Sequence, residues 1–386
     1  MANKKILIVG VIVALVAWLA TFLVCRVCDN NDFATTDPAA TTRDQATTNA
    51  PEPSVSADDN AYDNNNEEDA YDNEDEAGAD DAVAEPQLNA SGKIPSPPRK
   101  AMASFTDAGE ICVDAETGRM LAGRNINATC PPASVVKVMT LYVVLDALSR
   151  GEIALDDRIV ASRRAYAMGG TQLYLDVGEP CVVEDLIYGL MLQSANDAAV
   201  ALAERVSGSV ESFVARMNAT AQELGMAKTK FRSPHGLPLS KKEKAAGEKP
   251  DMTTAEDLAK LAVALLKKFP QTFKYCSTIS REFPANEKRA QPFPMVNHNK
   301  LLKSFAGCDG LKTGWTNDGA SIVTTASRGN KRVVAVVLGG CVKNKKGVID
   351  AKTSQRERNQ RAAELMYAGL RELDALKYEP TPYAGK

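Results

Sequence analysis

The hydrophobic pattern divides the chain into three stretches. Residues 6–24 form an apolar run without a single charge. At 1.5 Å per helical residue that run extends ~28 Å, close to the ~30 Å hydrocarbon core of a bilayer. Lys4 and Lys5 precede it and only Arg26 follows closely. The positive-inside rule then predicts a cytoplasmic N-terminus, with everything after Arg26 outside. A cleaved secretory signal is the rival expectation, but the run is long for one and shows no clean small-x-small cleavage site. Residues 1–28 are therefore expected to be a retained transmembrane anchor.

Residues 29–98 almost lack large aliphatic side chains and are rich in Asp, Asn, Ala, Thr, Glu and Pro. Such a stretch cannot bury enough apolar surface to offset the entropy of ordering it, so it is expected to be a disordered linker. It holds 18 acidic residues against 2 basic ones, a local charge of −16. The whole chain is only −3, so the remainder carries +13 and residues 99–386 about +10. A basic domain outside the membrane suits an anionic polymer or lipid headgroups as well as it suits a merely scattered surface surplus.

From residue 99 the periodicities become those of a folded domain. Residues 110–114 and 119–123 flank Ala115-Glu116-Thr117-Gly118 and predict strand–turn–strand. From Ser134, apolar residues recur at spacings of three and four up to Leu148, which predicts a helix stopped by Gly151. Residues 183–205, 211–224 and 254–268 are expected to be helical, the last two opened by Ser209 and Thr253 as caps. Two β-rich runs, 320–327 and 332–339, surround Arg328-Gly329-Asn330-Lys331 and predict a hairpin. Residues 353–376 carry Ala362, Leu365, Met366, Leu370 and Leu373 on one stripe, an amphipathic closing helix. Strands at both ends with helices between predict an α+β domain over 99–386, its antiparallel sheet built from both ends around a helical middle.

Composition adds limits. With 386 residues, 44% apolar and 25% charged, the chain matches a globular protein and no fibrous or disulfide-knot class. Two histidines leave little room for histidine-based metal chemistry. Cys25 and Cys28 lack the second pair or the thioredoxin-like context that would give them redox or metal meaning. Cys112, Cys130, Cys181, Cys276, Cys308 and Cys341 lie mostly in apolar contexts, where buried free thiols and bridges are both open.

Three short motifs carry chemistry. Ser134 follows Pro131-Pro132-Ala133 at a predicted helix start, and Lys137, three residues on, reaches the same face. A serine hydroxyl needs a base, and a lysine serves if burial or another cation lowers its pKa. Taken alone, the pair also reads as an N-cap and a surface lysine. Ser194 and Asn196 interrupt an apolar stretch and need partners if buried; alone, they also read as a cap or a satisfied core hydrogen bond. Lys312-Thr313-Gly314 precedes a β run and offers a charge, a hydroxyl and a close backbone approach, which suits a ligand carboxylate. Alone, it also reads as a strand-entry turn.

Together and in this order, Ser-x-x-Lys, Ser-x-Asn and Lys-Thr-Gly are the signature of penicillin-binding proteins and class A β-lactamases. The chain resembles the D-alanyl-D-alanine carboxypeptidases, the low-molecular-mass penicillin-binding proteins. The likeness extends through PPASVVKVMTLY, QSANDAAVALAE, FRSPHGLP, TTAEDLAKLA and NHNKLLKSFAGCDGLKTGWT, from about Phe105 to Leu376. It implies a β-lactamase/transpeptidase-like domain that acts without metal or cofactor on peptidoglycan stem peptides ending in D-Ala-D-Ala. It also implies covalent binding of β-lactams and no nucleic-acid partner. By the resemblance, Ser134 is the acylated nucleophile, Lys137 its base and Ser194 a proton relay. Asn196 holds a substrate amide, and Lys312, Thr313 and Gly314 bind the terminal carboxylate region. The backbone N–H groups of Ser134 and Trp315 form the oxyanion hole.

Departures are few. Ala195 stands where Gly or Asp is common in the family, a small change. Many relatives carry a C-terminal β-rich domain and an amphipathic membrane helix. Here only about ten residues follow Leu376, so anchoring is expected to fall to the N-terminal segment. A β-lactamase would need a deacylating Glu-x-x-x-Asn, and residues 197–253 contain none. His235 and His298 are not near a Gly-x-Ser-x-Gly elbow and are expected to be structural. A D,D-endopeptidase using the same residues and a non-enzymatic wall-binding protein are the alternatives.

Overall fold

A computed structural model describes residues 97–375. The expected anchor and the linker up to residue 96 lie outside the described residues, and so do the last eleven. No helix among the described residues is long and apolar enough to cross a membrane.

The domain opens with the hairpin β1 (Gly109–Asp114) and β2 (Met120–Arg124). A 3₁₀ turn, Ala133–Val136, runs directly into α1 (Lys137–Ser149). A ribbon of β3 (Arg158–Val160) and β4 (Pro180–Val182), with the single turn α2 (Arg163–Tyr166) between them, leads to α3 (Val183–Tyr188). Then come α4 (Asn196–Ser207), α5 (Val210–Glu223), the short α6 (Lys241–Ala245), α7 (Ala255–Lys268) and α8 (Thr272–Cys276). A second ribbon, β5 (Ser280–Phe283) and β6 (Phe293–Val296), and the turn α9 (Leu301–Ser304) precede the final β7 (Cys308–Thr316), β8 (Gly319–Arg328), β9 (Lys331–Gly340) and α10 (Ala351–Ala375).

The main sheet is antiparallel with strand order β2-β1-β9-β8-β7, so both ends of the domain build it, as expected. Both of its faces are covered, which explains why β9 reads as an unbroken apolar run. Val333, Ala335 and Val337 pack with Ala362, Leu365, Met366 and Leu370 of α10. Val334, Val336 and Leu338 point into the core shared with the helical half. At the centre of that half, α1 is buried on every side from Lys137 to Ala147.

Four local expectations need correction. Ser134 does not start or cap an α-helix; it lies in the 3₁₀ turn, behind Ala133 at φ +54°, and its side chain makes no capping bond. The helix expected over 183–205 is broken. After α3 the chain makes a wide π-type turn (Gly189–Gln193), and Ser194 adopts a left-handed φ of +61° before α4. Non-helical partners hold this break: Ala195 N donates to the Gly189 carbonyl (3.0 Å) and Asn196 N to the Thr171 carbonyl (2.8 Å). Thr254, not Thr253, caps α7 through Asp257 N, because Thr253 is engaged in a backbone bridge with Cys130. Finally, Lys312-Thr313-Gly314 does precede the strand β8, but it is not a strand-entry turn: it lies inside β7, paired with Val323, Ile322 and Ser321 of β8.

Candidate active site

The 3₁₀ turn running into α1 sets Ser134 and Lys137 on one face. Lys137 Nζ lies 3.0 Å from Ser134 Oγ, 2.7 Å from Asn196 Oδ1 and 3.0 Å from the His235 carbonyl oxygen. A neutral amine has two N–H groups and one lone pair. Asn196 Oδ1 and the His235 carbonyl are pure acceptors and take the two N–H groups. The lone pair is left facing the one partner that has a proton to give, the Ser134 hydroxyl.

The electrostatics agree with that protonation state. Lys137 is fully buried, and burial first, then repulsion from Lys312, drives its pKa well below the ordinary lysine range. Asp197 and Asp251 pull the other way. Both are held off by other donors: Asp197 accepts from the backbone of Leu173, Leu175 and Ala198, and Asp251 from Arg232 N, Ser233 N and the Ser233 hydroxyl. The repulsion from Lys312 ranks behind desolvation.

Asn196 at the start of α4 fixes its own orientation by donating from Nδ2 to the Gly169 carbonyl at 2.7 Å. Ser194, two residues earlier, is buried at the left-handed turn, and its hydroxyl is hydrogen-bonded to neither Ser134 nor Lys137. β7 forms the facing wall, and Gly314 comes so close that a Cβ there would sit 2.9 Å from Ser134 N and 3.1 Å from Val135 N. Lys312 and Thr313 are buried, and Trp315 is half-buried next to Gly314. Lys312 Nζ donates to the Thr313 carbonyl (3.0 Å), and burial together with the nearby Arg358 guanidinium lowers its pKa to about 7. An ammonium so poorly satisfied is ready to receive an anion.

Sequence reading missed the contribution of Arg358. This guanidinium is buried and reaches through the sheet from α10 to donate to the carbonyls of Gly314 (3.2 Å) and Ser321 (3.1 Å). The signal was available: Arg358 lies on the same stripe as Ala362, Leu365 and Met366, where a core residue was due. Also missed were the carbonyls of His235 and Gly169. The His235 ring itself is structural, as expected, since its Nδ1 accepts from Leu237 N and burial keeps the imidazole neutral. His298 is likewise held neutral, its pKa lowered to about 3 by burial and by Lys312 and Lys137. The six described cysteines are free thiols, four of them buried. Among the described residues, no group of three or more His, Cys, Asp or Glu side chains is arranged to hold a metal ion.

Chemically, a hydroxyl paired with a buried neutral amine is a nucleophile with its base. A lysine on the opposite wall is placed to meet an anion. The chain is similar to known proteins. A family model described as D-alanyl-D-alanine carboxypeptidase matches residues 96–341. The chain is 37% identical over 230 residues to D-alanyl-D-alanine carboxypeptidase DacF of Bacillus subtilis, covering 59% of this chain and 56% of that protein. It is 38% identical over 237 residues to DacC of Escherichia coli, covering 59% and 55%. The matches thus span little more than half the length of these relatives. Among solved structures it resembles penicillin-binding protein D2 of Listeria monocytogenes in its ampicillin-bound form, with a TM-score of 0.56 and 29% identity over 68% of this chain and 97% of that one.

Proposed function

The chain belongs to the D-alanyl-D-alanine carboxypeptidase family, and from that premise we propose that it is a serine-type carboxypeptidase. It removes the terminal D-alanine from peptidoglycan stem pentapeptides through an acyl-enzyme on Ser134. The observation that carries this reading is the hydrogen-bond set of Lys137, which leaves the amine lone pair for the Ser134 hydroxyl 3.0 Å away.

In the first step Lys137 takes the Ser134 proton, and Oγ attacks the carbonyl carbon of the penultimate D-alanine. The oxyanion forms against the backbone N–H groups of Ser134 and Trp315, where loss of one such donor typically costs 10²–10³ in rate. The peptide C–N bond breaks, and the leaving D-alanine nitrogen receives the proton from the Lys137 ammonium by way of Ser194. Water then hydrolyses the ester by the same base. Lys312 and Thr313 hold the terminal carboxylate, and Asn196 holds a substrate amide. Meeting that carboxylate favours the charged form of Lys312, whose pKa of about 7 leaves it poised between states.

A penicillin carries its own carboxylate and an acylating carbonyl, so it enters the same site and acylates Ser134; the ampicillin complex of the Listeria relative supports this. The apolar run 6–24 supports a single N-terminal anchor in the cytoplasmic membrane, with the catalytic domain on the outer side. Incubation with a muropeptide pentapeptide and with a cross-linked dimer, read by mass, tests the activity. Loss of one alanine from the pentapeptide is the expected result; splitting of the dimer with an untouched pentapeptide would make the protein an endopeptidase instead.

A further inference from the structure

Asn196 is oriented by a loop, residues 169–175, that belongs to no helix or strand. The loop offers the Gly169 carbonyl to Asn196 Nδ2 (2.7 Å) and the Thr171 carbonyl to Asn196 N (2.8 Å). A Cβ on Gly170 would sit 2.9 Å from Asn196 Nδ2, so the approach is close. Asp197, the next residue of α4, accepts from the backbone N–H groups of Leu173 (3.0 and 3.1 Å) and Leu175 (3.1 Å). Between them Tyr174 adopts a φ of +58°, a region that bulky side chains rarely occupy. A backbone held there needs a second set of contacts.

Arg289 supplies that set from the loop of the β5–β6 ribbon, 115 residues after Tyr174. Its Nη2 donates to the carbonyls of Leu173 (2.8 Å) and Tyr174 (2.9 Å), and its Nε donates to Glu179 Oε1 (3.1 Å). Glu179 is buried and also accepts from Asp176 N (2.8 Å) and Asn286 Nδ2 (2.8 Å). The guanidinium carbon lies 5.3 Å from the Phe283 ring centroid and 5.8 Å from that of Phe293, within cation–π range. Leu173 is therefore gripped on both sides of its backbone, its N–H by Asp197 and its carbonyl by Arg289. The ribbon itself is already fastened to α3 by Arg281 and Asp185 (2.7 Å), so the Arg289 contacts add a hold on the loop.

We propose that Arg289 is a positioning residue for acylation: through Leu173 and Tyr174 it fixes the loop whose Gly169 carbonyl keeps the Asn196 amide the right way round. With Nδ2 spent on Gly169, Oδ1 faces Lys137. A turned amide would present an N–H donor to the Lys137 amine. The single lone pair of that amine would then be drawn away from the Ser134 hydroxyl.

The role rests on the carboxypeptidase reading of Ser134 and Lys137, and the test separates the two. Removing Arg289 alone would leave Glu179 buried without its cation, so Arg289→Met is combined with Glu179→Gln and compared with Glu179→Gln alone. Penicillin acylation of Ser134 is followed by intact-protein mass over a range of drug concentrations. The limiting rate should fall about 10- to 100-fold, while the half-saturating concentration changes less than about twofold. In an Asn196→Ala background the same comparison should show a loss below about threefold, because the group Arg289 acts through is gone. Arg289→Lys keeps a cation for Glu179 but lacks the fork that spans two carbonyls, so it should slow acylation about three- to tenfold even if the Met variant does not fold. A limiting rate within about twofold of its reference in either variant, or an equal loss with and without the Asn196 side chain, overturns the positioning role and leaves the carboxypeptidase reading standing. No alanine release from a D-Ala-D-Ala peptide by the native protein, with no penicillin adduct on Ser134, overturns both.

Discussion

Replacing Gly314 with alanine tests the seam between the sheet and the nucleophile turn. The added Cβ would lie 2.9 Å from Ser134 N, 3.0 Å from Ala133 Cβ and 3.1 Å from Val135 N. Carbon contacts settle near 3.5–4.0 Å, so the shortfall is roughly 0.5–1 Å. Two of the three atoms are backbone, and the turn is held on its other side by Gly236, where a Cβ would sit 2.1 Å from the Ala133 carbonyl oxygen. β7 is itself tied to Arg358 and β8. Overpacking of this kind costs about 1–3 kcal/mol. For a domain of roughly this size, that lowers Tm by about 3–10 °C. A misplacement near 1 Å costs about 10²-fold in rate, so acylation of Ser134 should slow by about 30- to 100-fold. Stopped acylation with a fluorescent penicillin and a thermal melt on the same sample measure both. Acylation within threefold of the native rate at an unchanged Tm would refute the claim that this seam is rigid.

Ser134→Ala should abolish turnover and the penicillin adduct with Tm within about 2 °C of native, because Ser134 makes no capping bond that could be lost; activity above a few per cent on a D-Ala-D-Ala peptide would remove Ser134 from its role. Lys312 loses its charge as pH rises through about 7, so kcat/KM for substrates with a free carboxylate should fall above that pH, while amidated analogues, which need no cation, should not show the fall. Arg358→Met removes a neighbouring cation that depresses Lys312 and should move that limb to higher pH; a limb that stays in place would mean that burial alone sets it. Lys137→Ala should reduce penicillin labelling strongly at every pH, measured by intact-protein mass after mixing with excess drug.

The parts of this molecule that could be read from sequence are those where burial leaves a simple period. α1, buried all round, and β9, covered on both faces, are continuous apolar runs, and α10 shows its stripe. The three motifs were visible because each is short and local. What the pattern hid depends on partners far along the chain. β7 carries Gly310, Lys312 and Gly314, poor strand residues whose place is set by β8 and by the Ser134 turn. The break at Ser194 is held by the carbonyls of Gly189 and Thr171, which no helical period announces. The small ribbons β3–β4 and β5–β6 have three or four residues per strand, and β5–β6 is tied to the helical half by Arg281–Asp185 and Arg289–Glu179. Arg358 was legible only as an anomaly on an apolar stripe.

The left-handed backbone at Ala133 sets engineering for durability against engineering for catalysis. A non-glycine residue in that region costs roughly 1–2 kcal/mol, and glycine avoids the penalty at an unfolded-state entropy cost of about 0.5–1 kcal/mol. A selection for heat resistance alone would therefore be drawn to Ala133→Gly. That substitution would also take away the methyl group that packs against Gly314 and would loosen the residue immediately before the nucleophile. The lineages that outlast boiling would be the ones that acylate slowly, and position 133 would be where a library first reveals which of the two properties it was sorted for.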